Sequence, residues 1–253
     1  MVGLRPAHLA AHLVGSESSP APMTAPSRSA ALLERARTTP GFMPEGEGLA
    51  LAEVAHRAGA GGLGPLVELG AYRGRSTLFL AAGLVAALEG GAPAGLCFSV
   101  DHHRGSEEMQ AGWEHHDPSL TDARTGRMDS LPEWRRNVEE AGVEGLVVGL
   151  IGDSPAIAAA WGTPLSLVFV DGGHGRGPAW ADYRGWAPHV APGGFLAFHD
   201  VFPDPADGGR PPYECYLDAL ASGAFEEDAP AGRGSLRVLR RRRPPSPPGR
   251  EIG

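Results

Sequence analysis

The chain has 253 residues, a formal net charge of -8 and two cysteines. That length suits one α/β domain with appendages. The acidic balance argues against a general nucleic-acid binder, and Cys97 and Cys215 are too few for a disulfide framework or a zinc cluster. No apolar run is long enough to span a membrane, and Pro6, His8 and His12 interrupt the N-terminal stretch. Neither a signal peptide nor a membrane partner is expected, and a cytoplasmic location is the default.

Residues 1–28 are rich in Ser, Pro and Ala and read as a flexible arm. Helical patterns follow at Ala30–Arg37 and Gly46–His56, the second with Leu51, Val54, Ala55 and Ala58 on one face. Leu66–Leu69 is a buried strand bounded by Gly64-Pro65 and Gly70. Ser76 is the expected N-cap of a helix with Leu78, Ala82, Val85 and Leu88 on its apolar face. In a doubly wound sheet a ligand sits at such a strand–glycine turn–helix junction. The turn reads E-x-G-x-x-x-G through Glu68, Gly70 and Gly74. Tyr72 occupies the second glycine of a dinucleotide fingerprint, and no Lys follows Gly74 as in a P-loop. An acid at Glu68 repels phosphate and suits a ligand with hydroxyl or ammonium groups.

The second strand, Leu96–Val100, ends in Asp101, where a carboxylate in a nucleotide-binding fold accepts two ribose hydroxyls. Residues 102–129 show little periodicity and read as a lid or substrate-pocket loop, with a homodimer contact as a further expectation. The adjacent pairs His102-His103 and His115-His116 lack the i, i+4 spacing of a helical metal site. A helix is expected at Ser130–Ala141 and a third strand at Leu146–Ile151. Asp153 or Ser154 then caps a short helix through Trp161, and Asp153 also stands where an adenine amino group needs an acceptor.

Leu165–Val170, the most continuous apolar run, is the fourth strand and ends in Asp171-Gly172-Gly173-His174. Trp180, Tyr183 and Ala187 mark a helix. Pro192-Gly193-Gly194 makes a turn into a fifth strand, Phe195–Phe198, which ends in His199-Asp200. A Pro-rich loop at 202–212, a helix at Tyr213–Ser222 and a hairpin of Phe225–Asp228 with Ser235–Leu239 close the domain, taken as 29–240. Residues 241–253 form a basic, Pro-rich tail that reads as solvated rather than nucleic-acid-binding.

Five strands thus end in polar groups at one edge: Glu68, Asp101, Asp153, Asp171 and His199-Asp200. The ordered set, from about residue 45 to 240, resembles the class I S-adenosylmethionine (SAM)-dependent methyltransferases. The run Val170–His174, with Pro192-Gly193-Gly194 and Phe198-His199-Asp200, is similar to the subgroup of O-methyltransferases that act on small molecules and often use a divalent cation. The resemblance implies a Rossmann-like α/β fold with a seven-stranded sheet, order 3-2-1-4-5-7-6, the last strand antiparallel. It implies that Glu68, Gly70, Tyr72, Arg73, Gly74 and Ser76 hold the amino-acid end of SAM. Asp101 and His102 would hold the ribose, Asp153 and Ser154 would flank the adenine, and Asp171 would border the cofactor.

Such an enzyme aligns a sulfonium methyl group with a nucleophile, and a hydroxyl acceptor must lose its proton. His174, three residues after Asp171 as in metal-dependent sugar O-methyltransferases, is the candidate base because an unperturbed imidazole titrates near neutrality. Asp171 and Asp200 end neighbouring strands, and two bare carboxylates repel unless a cation joins them. The expected metal set is Asp171, His199 and Asp200. Mg²⁺ suits its oxygens, whereas a histidine favours Mn²⁺, another transition metal, or no metal at all. The acceptor is expected to be a small hydroxylated molecule, a sugar or secondary metabolite. The alternatives are an NAD- or nucleotide-sugar-dependent enzyme on a related sheet and a non-catalytic SAM-binding protein.

Overall fold

A computed structural model describes residues 26–93 and 95–244, so residues 1–25 of the expected arm and 245–253 of the expected tail lie outside the described residues. Seven strands form one sheet in the order β3-β2-β1-β4-β5-β7-β6, as the resemblance implies. They are β1 (Leu66–Leu69), β2 (Cys97–Asp101), β3 (Val147–Ile151), β4 (Leu165–Val170), β5 (Val190–Phe198), β6 (Phe225–Glu227) and β7 (Arg237–Arg241). β1 to β5 pair in parallel, and β7 runs antiparallel to both β5 and β6. Parallel pairing needs crossovers, and helices supply them on both faces.

The strand period of two sorts side chains between those faces. On one side Leu66, Cys97, Leu167, Phe169 and Phe195 meet α1 (Arg28–Thr38), α2 (Glu45–Gly61), α3 (Arg75–Glu89) and α4 (Leu131–Glu140). On the other, Val67, Leu69, Val100, Val168 and Phe198 meet α5 (Ser154–Ala160), α6 (Arg176–Trp186) and α7 (Arg210–Ala221). The most central strands, β1 and β4, are buried at every position, which is why both read as mainly apolar runs, each with one polar residue, Glu68 and Ser166. Cys97 and Cys215 are buried free thiols.

Most boundaries move by one to four residues, and two assignments change in kind. Gly74, not Ser76, occupies the N-cap of α3. The Ser76 hydroxyl turns inward to Glu68 instead. Pro192-Gly193-Gly194 lies within β5 rather than before it. Leu165 pairs Val190 and Leu167 pairs Phe195, so the extra residues form a bulge. A bulge tolerates a proline that cannot donate to the ladder. At the ends, α1 already includes Arg28 and β7 still includes Arg241. No helix among the described residues is long and apolar enough to cross a membrane.

Candidate active site

The first half of the site is the turn after β1. Gly70 has φ 87°, and a Cβ there would lie 2.2 Å from the Asp171 carbonyl oxygen, so the ends of β1 and β4 approach closely only because position 70 has no side chain. Asp101 organises this turn from the end of β2. Its Oδ2 accepts the backbone N–H groups of Ala71 (2.9 Å) and Tyr72 (3.0 Å), and its Oδ1 accepts that of His103 (2.7 Å). A carboxylate offers about four acceptor sites, so one remains for a hydroxyl. His102 is exposed beside it and accepts the Arg104 N–H on Nδ1 (3.0 Å).

Glu68 is in the right place along the strand but faces the wrong way for a direct ligand. The period of two sends its side chain into the α3 face with Leu66, where it is fully buried. Three hydroxyls donate to it, from Ser76, Thr77 (2.6 Å) and Ser99 (2.7 Å). Burial pushes its carboxyl up to about 7, against the opposing pull of those hydroxyls. Ser76, equally enclosed, serves this knot too. The Arg73 guanidinium also turns away from the turn, to Asp117 (2.5 Å), Ser119 (3.1 Å) and Glu133 (3.1 Å). It thereby ties the glycine turn to the 102–129 segment. That segment holds two short 3₁₀ turns, Glu107–Met109 and Pro118–Leu120, and an isolated bridge between Thr121 and Met128.

The third strand contributes less contact. Asp153 caps α5 by accepting the Ala156 N–H (3.2 Å), and Ser154 Oγ accepts Trp186 Nε1–H (2.9 Å). Both sit after β3, next to the end of β2.

The second half of the site lies after β4 and β5. Val170 pairs with Phe198, so Asp171 and His199 emerge side by side. His199 is 4% exposed and touches carboxylates through both ring nitrogens. Nδ1 reaches Asp171 (2.9 Å) and Asp200 (3.2 Å), and Nε2 reaches Glu47 (2.6 Å). With acceptors at both nitrogens the ring is an imidazolium that donates twice. Burial alone would lower its pKa, but Asp171, Asp200 and Glu47 outweigh it and hold the ring well above the usual histidine range. Sequence spacing made His199 a metal ligand; in the structure it is buried and bridges Asp171 and Asp200 to Glu47, and it is not in the group whose ligand atoms converge.

His174 takes the place assigned to His199. Ligand atoms of Asp171, His174 and Asp200 lie within 4.8 Å of one another, a group that fits a divalent cation. His174 Nε2 is 2.9 Å from Asp200 and Nδ1 is 3.1 Å from Glu108. The Asp200 hydrogen bond raises His174 to about 9, against burial, so its resting form carries a proton. This overturns the near-neutral titration expected from the sequence. Asp200 is held well below the usual carboxylate range, because His174 and His199 outweigh its burial.

Three non-glycine residues take left-handed backbone, Tyr72 (φ 49°), His103 (φ 57°) and Asp200 (φ 54°), each just past the end of a strand at this rim. Such conformations cost on the order of 1 kcal/mol each and cluster at functional sites. Three participants escaped the sequence reading. Glu108 reaches His174 from the 102–129 segment. Phe42, 55% exposed, stacks on Tyr72 (5.3 Å) and meets His115 (5.0 Å). Glu47 enters from α2, where its place one turn before Leu51, on the apolar face, was the available signal.

The family described as "Methyltransferase domain" matches residues 67–201, more than half of the chain, from β1 to the residue after Asp200. Several solved structures are similar. The O-methyltransferase TomG from Streptomyces achromogenes, in complex with SAM, is 17% identical, with 87% of this chain and 92% of that chain covered and a TM-score of 0.53. The methyltransferase PaMTH1 from Podospora anserina, bound to S-adenosylhomocysteine (SAH), is 14% identical over 87% and 89%, with a TM-score of 0.57. An O-methyltransferase from Bacillus cereus in complex with SAH is 15% identical over 87% and 94%, with a TM-score of 0.54. At these identities the likeness is one of fold. The match from β1 through β5, on this strand order, identifies the chain as a member of the methyltransferase-domain family, a class I methyltransferase.

Proposed function

We propose that this methyltransferase takes its methyl group from SAM and delivers it to an oxygen of a small hydroxylated molecule. The observation that carries the reading is that the family match falls on the strand-end rim, with Asp101 gripping the glycine turn and retaining one acceptor site. The SAM- and SAH-bound relatives of the same fold support the choice of donor.

In this reading the turn from Gly70 to Gly74 receives the amino-acid end of the cofactor, with Tyr72 beside it. Glu68, Ser76 and Arg73 support that turn from behind rather than touch the ligand. Asp101, with His102 at its side, receives the ribose hydroxyls. Asp153 and Ser154 border the adenine, and Asp171 separates the cofactor from the acceptor. Asp171, His174 and Asp200 fit a divalent cation, and the imidazole among them favours Mn²⁺ or another transition metal. When bound, such an ion supplies Lewis acidity to the acceptor oxygen.

With no ion in that group, His174 is the proposed base; an imidazole nitrogen that held an ion could not also take the proton. His174 becomes competent once its proton has been released to solvent, with Asp200 and Glu108 at hydrogen-bond distance to hold the ring in place. His199 and Glu47 fix the two aspartates so that neither swings away. A panel of hydroxylated sugars and phenolic metabolites with radiolabelled SAM tests this. Label transfer to an acceptor oxygen, lost in His174→Ala while SAH affinity is retained, is the expected result. Retained transfer would remove His174 as the base, and SAH binding with no transfer to any acceptor would favour a non-catalytic SAM-binding protein.

A further inference from the structure

A second charged cleft opens at the other end of the sheet. Its volume is about 280 Å³, and Arg57, Ser166, Gly193, Phe195, Arg240 and Arg243 line it. Ser166 is the second residue of β4 and Asp171 follows its end, so the cleft lies roughly 15 Å from the rim at a strand rise of about 3.3 Å per residue. Antiparallel pairing of Phe195 with Arg240 brings β7 to the same place.

Three arginines reach this cleft from α2, β7 and the residues after β7. Arg57 and Arg240 both stand over the Phe195 ring, 4.8 and 5.8 Å from its centroid, and that ring is 4% exposed. Arg240 Nε donates to the Gly193 carbonyl (3.3 Å). A Cβ on Gly193, whose φ is 89°, would lie 2.7 Å from Arg243 Nε, so the β5 bulge makes room for a third guanidinium. Carboxylates balance only one of these three charges. Asp228 pairs with Arg57 (2.6 Å), and Glu226, the neighbour on β6, pairs with Arg242 (3.5 Å). Among the described residues no carboxylate pairs with Arg240 or Arg243.

Guanidinium groups that line one cleft favour an anion between them, and their planar forks match tetrahedral oxyanions. The volume is at the low end for small-molecule pockets, too tight for a whole nucleotide cofactor and ample for one or two phosphate groups. We infer that this cleft binds a small, multiply charged oxyanion of the phosphate class, at a site separate from the one where methyl transfer takes place.

Calorimetry of the full chain with inorganic pyrophosphate at constant ionic strength tests the inference, with citrate as a carboxylate of comparable charge. Saturable binding that favours pyrophosphate is expected, roughly tenfold or more weaker in Arg240→Gln/Arg243→Gln, as loss of two charge-assisted contacts predicts. Methyl-transfer activity should be unchanged in that variant. No saturable binding to the wild type at millimolar pyrophosphate, a preference for citrate, or equal affinity in the double variant would overturn it. Should the variant misfold, nitrogen-15 NMR of the wild type reads the same site: shifts of the Arg240 and Arg243 guanidinium signals and of Phe195 support the inference. Shifts confined to residues 70–74 and 101 would overturn it.

Discussion

Two buried glutamates lie beneath the rim, and their partners make them opposite in character. Glu68 is under β1 and meets only hydroxyls, from Ser76, Thr77 and Ser99. Burial governs it, and its carboxyl rises to about 7. Glu47 is under β5 and meets the His199 imidazolium and the Ser235 N–H (2.7 Å) and hydroxyl (3.1 Å). Burial pushes its carboxyl up as well, but His199 and the Ser235 amide outweigh it and hold it below the usual value. Depth alone therefore does not decide ionisation; the partner does. The turn that would carry a sulfonium cofactor rests on a knot close to neutral. The edge where an acceptor proton must be handled rests on a cage of full charges.

Breaking the cage should have the largest effect. Glu47→Ala leaves the buried His199 imidazolium with carboxylates on one side only, and should cost about 3 kcal/mol of stability in a denaturant titration, the lower range for opening a buried pair. A loss under about 0.5 kcal/mol would mean that His199 is neutral and the contrast false. The next effect is a pH dependence in the knot. The folded Glu68 carboxyl titrates near 7 against an ordinary 4.5, so the folded state binds the extra proton between those values. Its contribution to stability is full below about 4.5 and is lost as pH rises through about 7, by an amount on the order of a few kcal/mol. Stability curves of wild type and Glu68→Gln should diverge across that window; parallel curves would show that Glu68 is ionised throughout.

Smaller again is the loss of one hydroxyl. Ser99→Ala should cost about 1 kcal/mol, the net worth of a buried hydrogen bond, and should raise the Glu68 titration further. Thermal unfolding at pH 6 and pH 8 reads both. The smallest effect is expected at the 102–129 segment. His174 and Glu108 are each about one-third exposed (32% and 36%), so water screens their pairing. Glu108→Gln should change stability by less than about 0.5 kcal/mol. A loss near that of Glu47→Ala would make the 102–129 segment part of the cage.

The strand-end acids were legible because each follows a short apolar run, and a parallel sheet brings such ends to one edge. Leu66–Leu69 and Leu165–Val170 were readable to the residue, since burial on both faces leaves each with a single polar residue and glycine or proline close outside its ends. The direction of side chains was less accessible. Position along the chain puts Glu68 at the rim, but the parity of the strand turns its carboxylate inward. Ser76 reads as a cap by residue type, yet Gly74 caps and Ser76 serves the acid. His174 rather than His199 joins the Asp171 and Asp200 group for a similar reason: spacing cannot say which ring is buried behind the aspartates, as His199 is against Glu47. Glu47 and Ser235 come from segments far apart in sequence, and only the packing of α2 and the chain entering β7 against β5 brings them to His199.

The central claim is that the rim after β1 and β2 receives an adenosyl cofactor with Asp101 as its ribose acceptor. Calorimetric titration of SAH into wild type and Asp101→Ala tests it most directly. The account predicts one site per chain in the wild type and an affinity at least roughly tenfold weaker in the variant, the value of a charge-assisted hydrogen bond. No heat in the wild type at high micromolar SAH, or equal affinity in the two proteins, would contradict it.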